Sequence, residues 1–301
     1  MNKFRLTSES TVDLTPAYLR ERQVDVIKYT YLIKEEEFVD DMWETEGGLE
    51  EFYKKIDENL PKTSQINVAR YVEFFEDQIE KAQGQDILHL VFGTGMTQSL
   101  NNAKIAREMI LEKYPQQRLE LVDSLASSSG FGLLLDYACD LRDEGKTIDE
   151  VKDWLLENRL RVHHRFYTTT LDHLRRGGRI SGPVATIATI LKICPMLMLD
   201  NEGKIIAYDK VRGKKRAMME TAKIMEDLAD LSNEYDGKCF ISHSNCYEDA
   251  KDLADEIEKK FPNLENKIKI FDIGPIIASH TGPGTVALFF LGQERKAFDQ
   301  K

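Results

Sequence analysis

DILHLVFGTGMTQSLNNAKIAREMILEKY, residues 86–114, passes from a short apolar run through a polar turn into a helical pattern. Asp86–Phe92 is too short and too uniformly apolar for an amphipathic helix, and suits a strand buried on both faces of a parallel sheet. The same order recurs downstream. RLELVDS (Arg118–Ser124) reads as a strand. SLASSSGFGLLLDYACDLRDEG then places Leu, Ala and Cys at helical spacing and ends on Gly145. Strand, polar turn, helix, repeated, is the pattern of a doubly wound α/β sheet, whose ligands bind at the carboxyl ends of the strands.

The pattern changes after the helical stretch Thr147–Leu160. From Arg161 the chain turns basic and β-rich, with VHHRFYTTT and then ICPMLMLDNEGKIIAYDKV, where Asn201–Gly203 is a hairpin signal between apolar runs. A helix is expected over about Lys214–Tyr235, a strand in KCFISHS, a helix over Tyr247–Phe261, and strands around Lys267–Ile273 and Thr285–Leu291. The fold class expected is therefore α/β: an N-terminal doubly wound parallel-sheet domain, residues 1–160, and a C-terminal α+β mixed-sheet domain, residues 161–301. No repeat or low-complexity linker separates them.

At 301 residues the chain has room for two domains, and an apolar fraction of 42% is that of a soluble globule. No apolar run approaches the roughly 18–20 residues that span a bilayer. MNKFRLTSESTVDL lacks the apolar core of a signal peptide, so the expected location is cytoplasmic. The four cysteines form no C-x-x-C pair and the six histidines no metal-ligand spacing, so neither a metal nor a redox motif is expected. A formal charge of −11 argues against nucleic acid as a partner. Yet Arg161–Arg216 holds 12 Lys/Arg against 4 Asp/Glu, a basic zone in an acidic chain. Such a zone fits an anionic ligand, an acidic partner or headgroup contact; a solvated positive face is the plainer alternative.

Five small, polar segments interrupt the apolar pattern at strand ends: Ser8–Asp13, Lys62–Asn67, Gly93–Ser99, Asp123–Gly130 and Gly274–Gly284. Hydroxyls and unpaired N–H groups at helix starts form ready sites for a carboxylate or phosphate, although N-capping alone accounts for any one of them. In LDHLRRGGRISG (171–182), Gly177 and Gly178 allow a chain reversal that could aim Arg179 inward. A guanidinium is a bidentate donor to carboxylates; a helix cap followed by a surface arginine is the alternative. His280 precedes a rigid Thr-Gly-Pro-Gly turn and is expected at the end of an apolar strand, either donating to an anion or satisfied structurally. His243, in ISHSN, is a weaker second candidate. No G-x-S-x-G elbow, P-loop or G-x-G-x-x-G occurs. Unaided, the residues indicate an anion held between two α/β domains by hydroxyls, an arginine and a histidine.

STVDL, TSQ, GTGMTQSLNNA, VDS-x-x-A-S, L-x-x-L-x-x-GGRI, V-R-x-K-K, ISH and GP-x-I-x-x-HTGPG occur here in the order seen in DegV-family proteins, and the chain resembles that family from about Ser8 to Leu291. The resemblance implies a binder of long-chain fatty acid with no other cofactor. It also implies a partner, the catalytic subunit of a fatty acid kinase, that phosphorylates the bound carboxyl group. Carried over, the family's carboxylate contacts fall on Thr63, on Thr94 or Thr97, on Arg179 and on His280, with Ser64 and Thr281 beside them. Three departures stand out: D-S-T is Glu9-Ser10-Thr11, TSQ is followed by Ile66, and S-S-G-L-S-G-T reads Gly93–Ser99. The basic zone around Lys210–Arg216 would then dock the kinase or make transient contact with a membrane surface as a fatty acid enters. The alternative from another class is an autonomous hydrolase or phosphotransferase using His280 and Arg179.

Overall fold

Asp86–Val91 forms a strand in which Ile87, Leu88, Leu90 and Val91 are all fully buried, as a run without polar alternation requires. The computed structural model describes residues 4–56, 59–180 and 193–296. Ser181 and Gly182 of the GGRISG segment lie outside the described residues. The first part of the chain runs β1 (Phe4–Glu9), α1 (Pro16–Glu21), β2 (Asp25–Ile27), β3 (Thr30–Ile33), β4 (Glu36–Val39), α2 (Gly48–Ile56), β5 (Lys62–Ser64) and α3 (Val68–Ala82). It continues through β6 (Asp86–Val91), α4 (Ser99–Lys113), β7 (Leu119–Asp123), α5 (Ser128–Asp143) and α6 (Ile148–Asn158). Then come β8 (Val162–Tyr167), α7 (Asp172–Arg176), β9 (Ile193–Leu199), β10 (Ile205–Arg212) and α8 (Lys214–Leu228). The last elements are β11 (Cys239–His243), α9 (Tyr247–Lys260), β12 (Lys269–Asp272), α10 (Pro275–Thr281) and β13 (Val286–Leu291).

Helix starts follow their caps. Thr147 and Glu150 exchange side-chain and backbone hydrogen bonds at the head of α6, and Asn67 accepts from Arg70 N–H at the head of α3. Strands β2-β1-β6-β7 form an all-parallel sheet, with Leu6 opposite Leu88 and Ile87 opposite Leu119. Strands β10-β9-β8-β13-β11-β12 form a mixed sheet in which β11 and β12 are the parallel pair. The α/β class with two such sheets is the one the alternation of runs and turns indicates.

Three features differ from the sequence reading. A third, antiparallel sheet, β4-β3-β5, contains Lys62–Ser64, so Thr63 and Ser64 of TSQ lie in a short strand themselves and not in a turn following one. Gly274–Gly284 is mostly helix, so His280 lies in the last turn of α10 and not at the end of an apolar strand. The cause is local: Pro275 supplies a preset helical φ at the first position, and Gly282, at φ 70°, ends the helix. The helix expected to reach Tyr235 stops at Leu228.

Contacts between the sheets are close. A Cβ on Gly95, in the turn after β6, would lie 2.3 Å from the backbone C and O of Gly203 in the β9–β10 hairpin. Tyr53 Oη and Ser244 Oγ are 2.6 Å apart, and Trp43 Nε1 donates to Ile273 O at 3.0 Å. Gly95→Ala must displace backbone on one side or the other, because the atoms it meets cannot rotate away. A loss of about 1–3 kcal/mol is expected, the range for overpacking, read as a lower denaturation midpoint at unchanged slope.

Candidate functional site

A cavity of about 340 Å³ lies where β5, the turn after β6, the loop after α7 and the end of α10 converge. Thr63, Ser64, Thr94, Thr97, Arg179, His280 and Thr281 all line it, so all seven candidate residues meet at one place. A second cavity of about 40 Å³ shares Ser127, Ile205, Ile277 and Thr281 with the first. Its other walls include Phe166, Leu199, Ile273, Ala287 and Phe289. The two cavities are neighbours: the hydroxyl, arginine and histidine candidates gather in the first, and the wall of the second is almost wholly apolar.

The hydroxyls are not equivalent. Thr94 Oγ1 donates to Asp123 Oδ2 at 2.6 Å, so its single proton is committed. Thr281 Oγ1 likewise donates to Ile277 O. Thr97 Oγ1 accepts from Ser99 N–H and lies 3.0 Å from Ser99 Oγ. Ser64 is exposed. Thr63 Oγ1 stands 2.8 Å from His280 Nε2.

His280 Nδ1 is buried without a hydrogen-bond partner, packed where a Cβ on Gly177 would come within 2.3 Å of it. A proton on Nδ1 would be stranded there, which assigns it to Nε2, donating to Thr63. Thr63 then keeps its own hydroxyl proton for a ligand. Burial first, then Arg179 and His173, push the His280 pKa down to about 4, so the imidazole is neutral at pH 7. Arg179 Nη1 donates to Gly177 O at 2.5 Å and its guanidinium forms no ion pair among the described residues. Burial lowers its pKa from the ordinary arginine value. Gly178 takes φ 69°, the reversal that returns Arg179 toward the cavity; Gly177 contributes close approach instead.

Other candidates fall elsewhere. His243 pairs with Asp272 at 3.5 Å and lines neither cavity. Ser8–Asp13 is a buried network: Ser8 Oγ donates to Leu90 O, Ser10 Oγ to Asp40 and Ser128 Oγ to Asp13.

The DegV family model, described as "Uncharacterised protein, DegV family", matches residues 3–293. A DegV domain-containing protein of Clostridium perfringens is 38% identical over 297 residues, which cover 98% of this chain and 100% of the relative.

The chain belongs to the DegV family.

Among solved structures, a fatty-acid-binding DegV family protein from Thermus thermophilus superposes with a TM-score of 0.83 at 27% identity. The match covers 96% of this chain and 99% of that one. The fatty acid kinase (Fak) B3 protein of Streptococcus pneumoniae, loaded with linoleic acid, shares the fold with a TM-score of 0.81 at 18% identity, over 96% and 99% of the two chains.

For this DegV chain, sequence reasoning missed Tyr29, whose ring lines the cavity and whose hydroxyl stands 2.9 Å from both Glu9 Oε2 and Ser99 Oγ. No turn or glycine near it marks it out; only the tertiary fold brings Val24–Thr30 to the strand ends. Among the described residues no group of three or more His, Cys, Asp or Glu is placed to hold a metal, and no helix is long and apolar enough to cross a membrane.

His280 is neutral in the folded chain above about pH 4, while in the unfolded chain it protonates near its ordinary 6.5. The unfolded state therefore binds the extra proton between those values, and its stability cost is absent above pH 6.5 and grows as pH falls toward 4. His163, with its pKa pushed down to about 3 by burial, adds to the same trend. His280→Gln should make the fall of Tm between pH 6.5 and 4 shallower than in the parent chain; an unchanged slope would contradict a neutral buried imidazole.

Proposed function

We propose that this chain binds a long-chain fatty acid and presents its carboxylate to a separate fatty acid kinase subunit for acyl-phosphate formation. Arg179 carries the reading. Its guanidinium is half-buried, has no ion pair among the described residues, and lines a cavity that adjoins a smaller one with apolar walls. A cation so placed favours an anion, and the apolar extension favours one with a long tail. Thr63 and Thr97 supply hydroxyl donors, His280 orients Thr63, and Arg179 supplies charge. Thr94, Thr281 and Ser64 shape the site.

Burying a C16–C18 chain at about 0.8 kcal/mol per CH2 contributes on the order of 10 kcal/mol before ordering costs. The tail thus dominates affinity, and the polar cluster fixes where the carboxylate stands. Negative charge that builds during phosphoryl transfer would lie beside Arg179. Lys210, Arg212, Lys215 and Arg216 are exposed on the sheet edge and the start of α8, suited to an acidic kinase surface or to transient headgroup contact. The reading takes residues 1–160 and 161–301 as two domains, each contributing one large sheet, in a cytoplasmic protein acting as an accessory subunit and not as an enzyme.

The 2.8 Å Thr63–His280 pair favours a second reading, a hydroxyl nucleophile with its base. Two facts weaken it: no group orients Nδ1, and an imidazole with a pKa near 4 is a weak base at neutral pH.

Protein purified gently from its producing cells should release long-chain acids on denaturation in a mass spectrometer; a reproducibly empty chain sinks the proposal. Arg179→Ala and His280→Ala should impair phosphorylation of bound acid by a fatty acid kinase far more than they impair retention of the acid. Equal, large losses of binding in both variants would refute that division of roles.

A further inference from the structure

Glu9 at the end of β1 is completely buried. It accepts hydrogen bonds from Phe92 N–H at 3.0 Å, from Tyr29 Oη at 2.9 Å and from Tyr71 Oη. The nearest basic group is His89 on β6, whose Nε2 stands 3.8 Å from Glu9 Oε1 and makes no hydrogen bond. No Lys or Arg pairs with Glu9 among the described residues. From Glu9 an unbroken line of hydroxyls reaches the cavity. Tyr29 Oη is 2.9 Å from Ser99 Oγ, and Ser99 Oγ is 3.0 Å from Thr97 Oγ1, which lines the wall. Burial and the neighbouring Glu9 push the Tyr29 and Tyr71 phenols well above their ordinary pKa, so both stay protonated.

Each hydroxyl in this line has one proton, so the line can point only one way at a time. With Glu9 ionised, Tyr29 donates to Glu9, Ser99 to Tyr29 and Thr97 to Ser99. Thr97 then turns a lone pair toward the cavity, which accepts from a neutral carboxylic acid but repels a carboxylate. With Glu9 protonated every bond reverses, and Thr97 becomes a donor toward the cavity.

We propose that Glu9, Tyr29 and Ser99 are positioning residues that form a proton relay ending at Thr97, and that Glu9 takes up one proton when the cavity receives a carboxylate. This inference rests on the fatty-acid reading above. For a neutral incoming acid the step balances within the site. The acid O–H breaks as its proton passes to Thr97; the protons of Thr97, Ser99 and Tyr29 each move one oxygen inward; and the last forms the O–H of Glu9. For an acid arriving ionised, the same end state takes its proton from solvent. Either way one negative charge, not two, occupies the low-dielectric interior, and it faces Arg179 and the neutral His280. Tyr71 and Phe92 N–H hold Glu9 in place in both states.

The test is calorimetric titration of the delipidated chain with palmitate at pH 8 in two buffers of different ionisation enthalpy, which counts protons exchanged on binding. Uptake close to one proton per palmitate is expected for the parent chain, and close to none for Glu9→Gln and Tyr29→Phe. Infrared spectra with palmitate labelled at its carboxyl carbon should show an ionised ligand beside a protonated carboxyl group that disappears in Glu9→Gln. A merely structural role for these residues would change affinity but not proton count. Should Glu9→Gln fail to fold, Tyr29→Phe and Ser99→Ala, which leave Glu9 in place, decide the matter. Palmitate bound by the parent chain without uptake, or uptake that persists in the broken relays, overturns this inference alone; no binding of palmitate overturns the functional reading as well.

Discussion

The imidazole of His280 is seated between a hydroxyl and an absent side chain, and the site depends on that seat. Thr63 holds Nε2 at 2.8 Å, while Gly177 leaves room for Nδ1 that any Cβ would occupy. Three distant stretches are thereby fixed to one another: the short strand β5, the loop after α7 and the last turn of α10. The seat is largely buried, and burial keeps the imidazole uncharged. Arg179 therefore stands next to a neutral neighbour and not a second cation, and the charge offered to a ligand resides on one fork-shaped group.

Helix α5 packs against β1 of the parallel sheet and against β8, β11 and β13 of the mixed sheet, and loops of the two sheets meet beside it. Gly93 N–H donates to Ala126 O at 3.0 Å, joining the turns after β6 and β7, and the turn after β6 then abuts the β9–β10 hairpin at Gly203. Polar groups from strand ends and apolar groups from the mixed sheet are thus set against each other. Along β8, Phe166 and His164 face the apolar cavity. Ser127 N–H donates to His164 Nε2 at 3.2 Å, and burial keeps this imidazole neutral too, its pKa well below the ordinary value. A histidine satisfied in this way behaves as part of a greasy wall.

Much of this arrangement was legible in the sequence, and the reasons for the rest are physical. The strand–turn–helix units around Asp86–Tyr114 and Arg118–Gly145 could be read because apolar runs and helical periods are local signals. The sheet β4-β3-β5 could not, because strands of three or four residues are too short to show a period. Pro275 and Gly282 bracket α10 as helix punctuation, yet the apolar start of this seven-residue stretch also reads as a strand, so the sequence places His280 on the wrong element. Thr94 and Thr97 were indistinguishable from composition alone. What separates them is Asp123, far enough along the chain that only the fold reveals whose proton is already engaged. Tyr29 illustrates the same limit: nothing local marks a tyrosine whose hydroxyl lies between a buried glutamate and a serine.

The hydrogen bond from Trp43 Nε1 to Ile273 O has an optical consequence. It anchors the residue just ahead of α10, and an indole's emission shifts when that bond is exchanged for water. The chain has two tryptophans, and the other, Trp154, lies on α6 beside Tyr137 with ring centroids 5.4 Å apart, and lines neither cavity. Trp43 is thus a fluorophore native to the chain whose colour follows the docking of the helix that carries His280, against a constant background from Trp154.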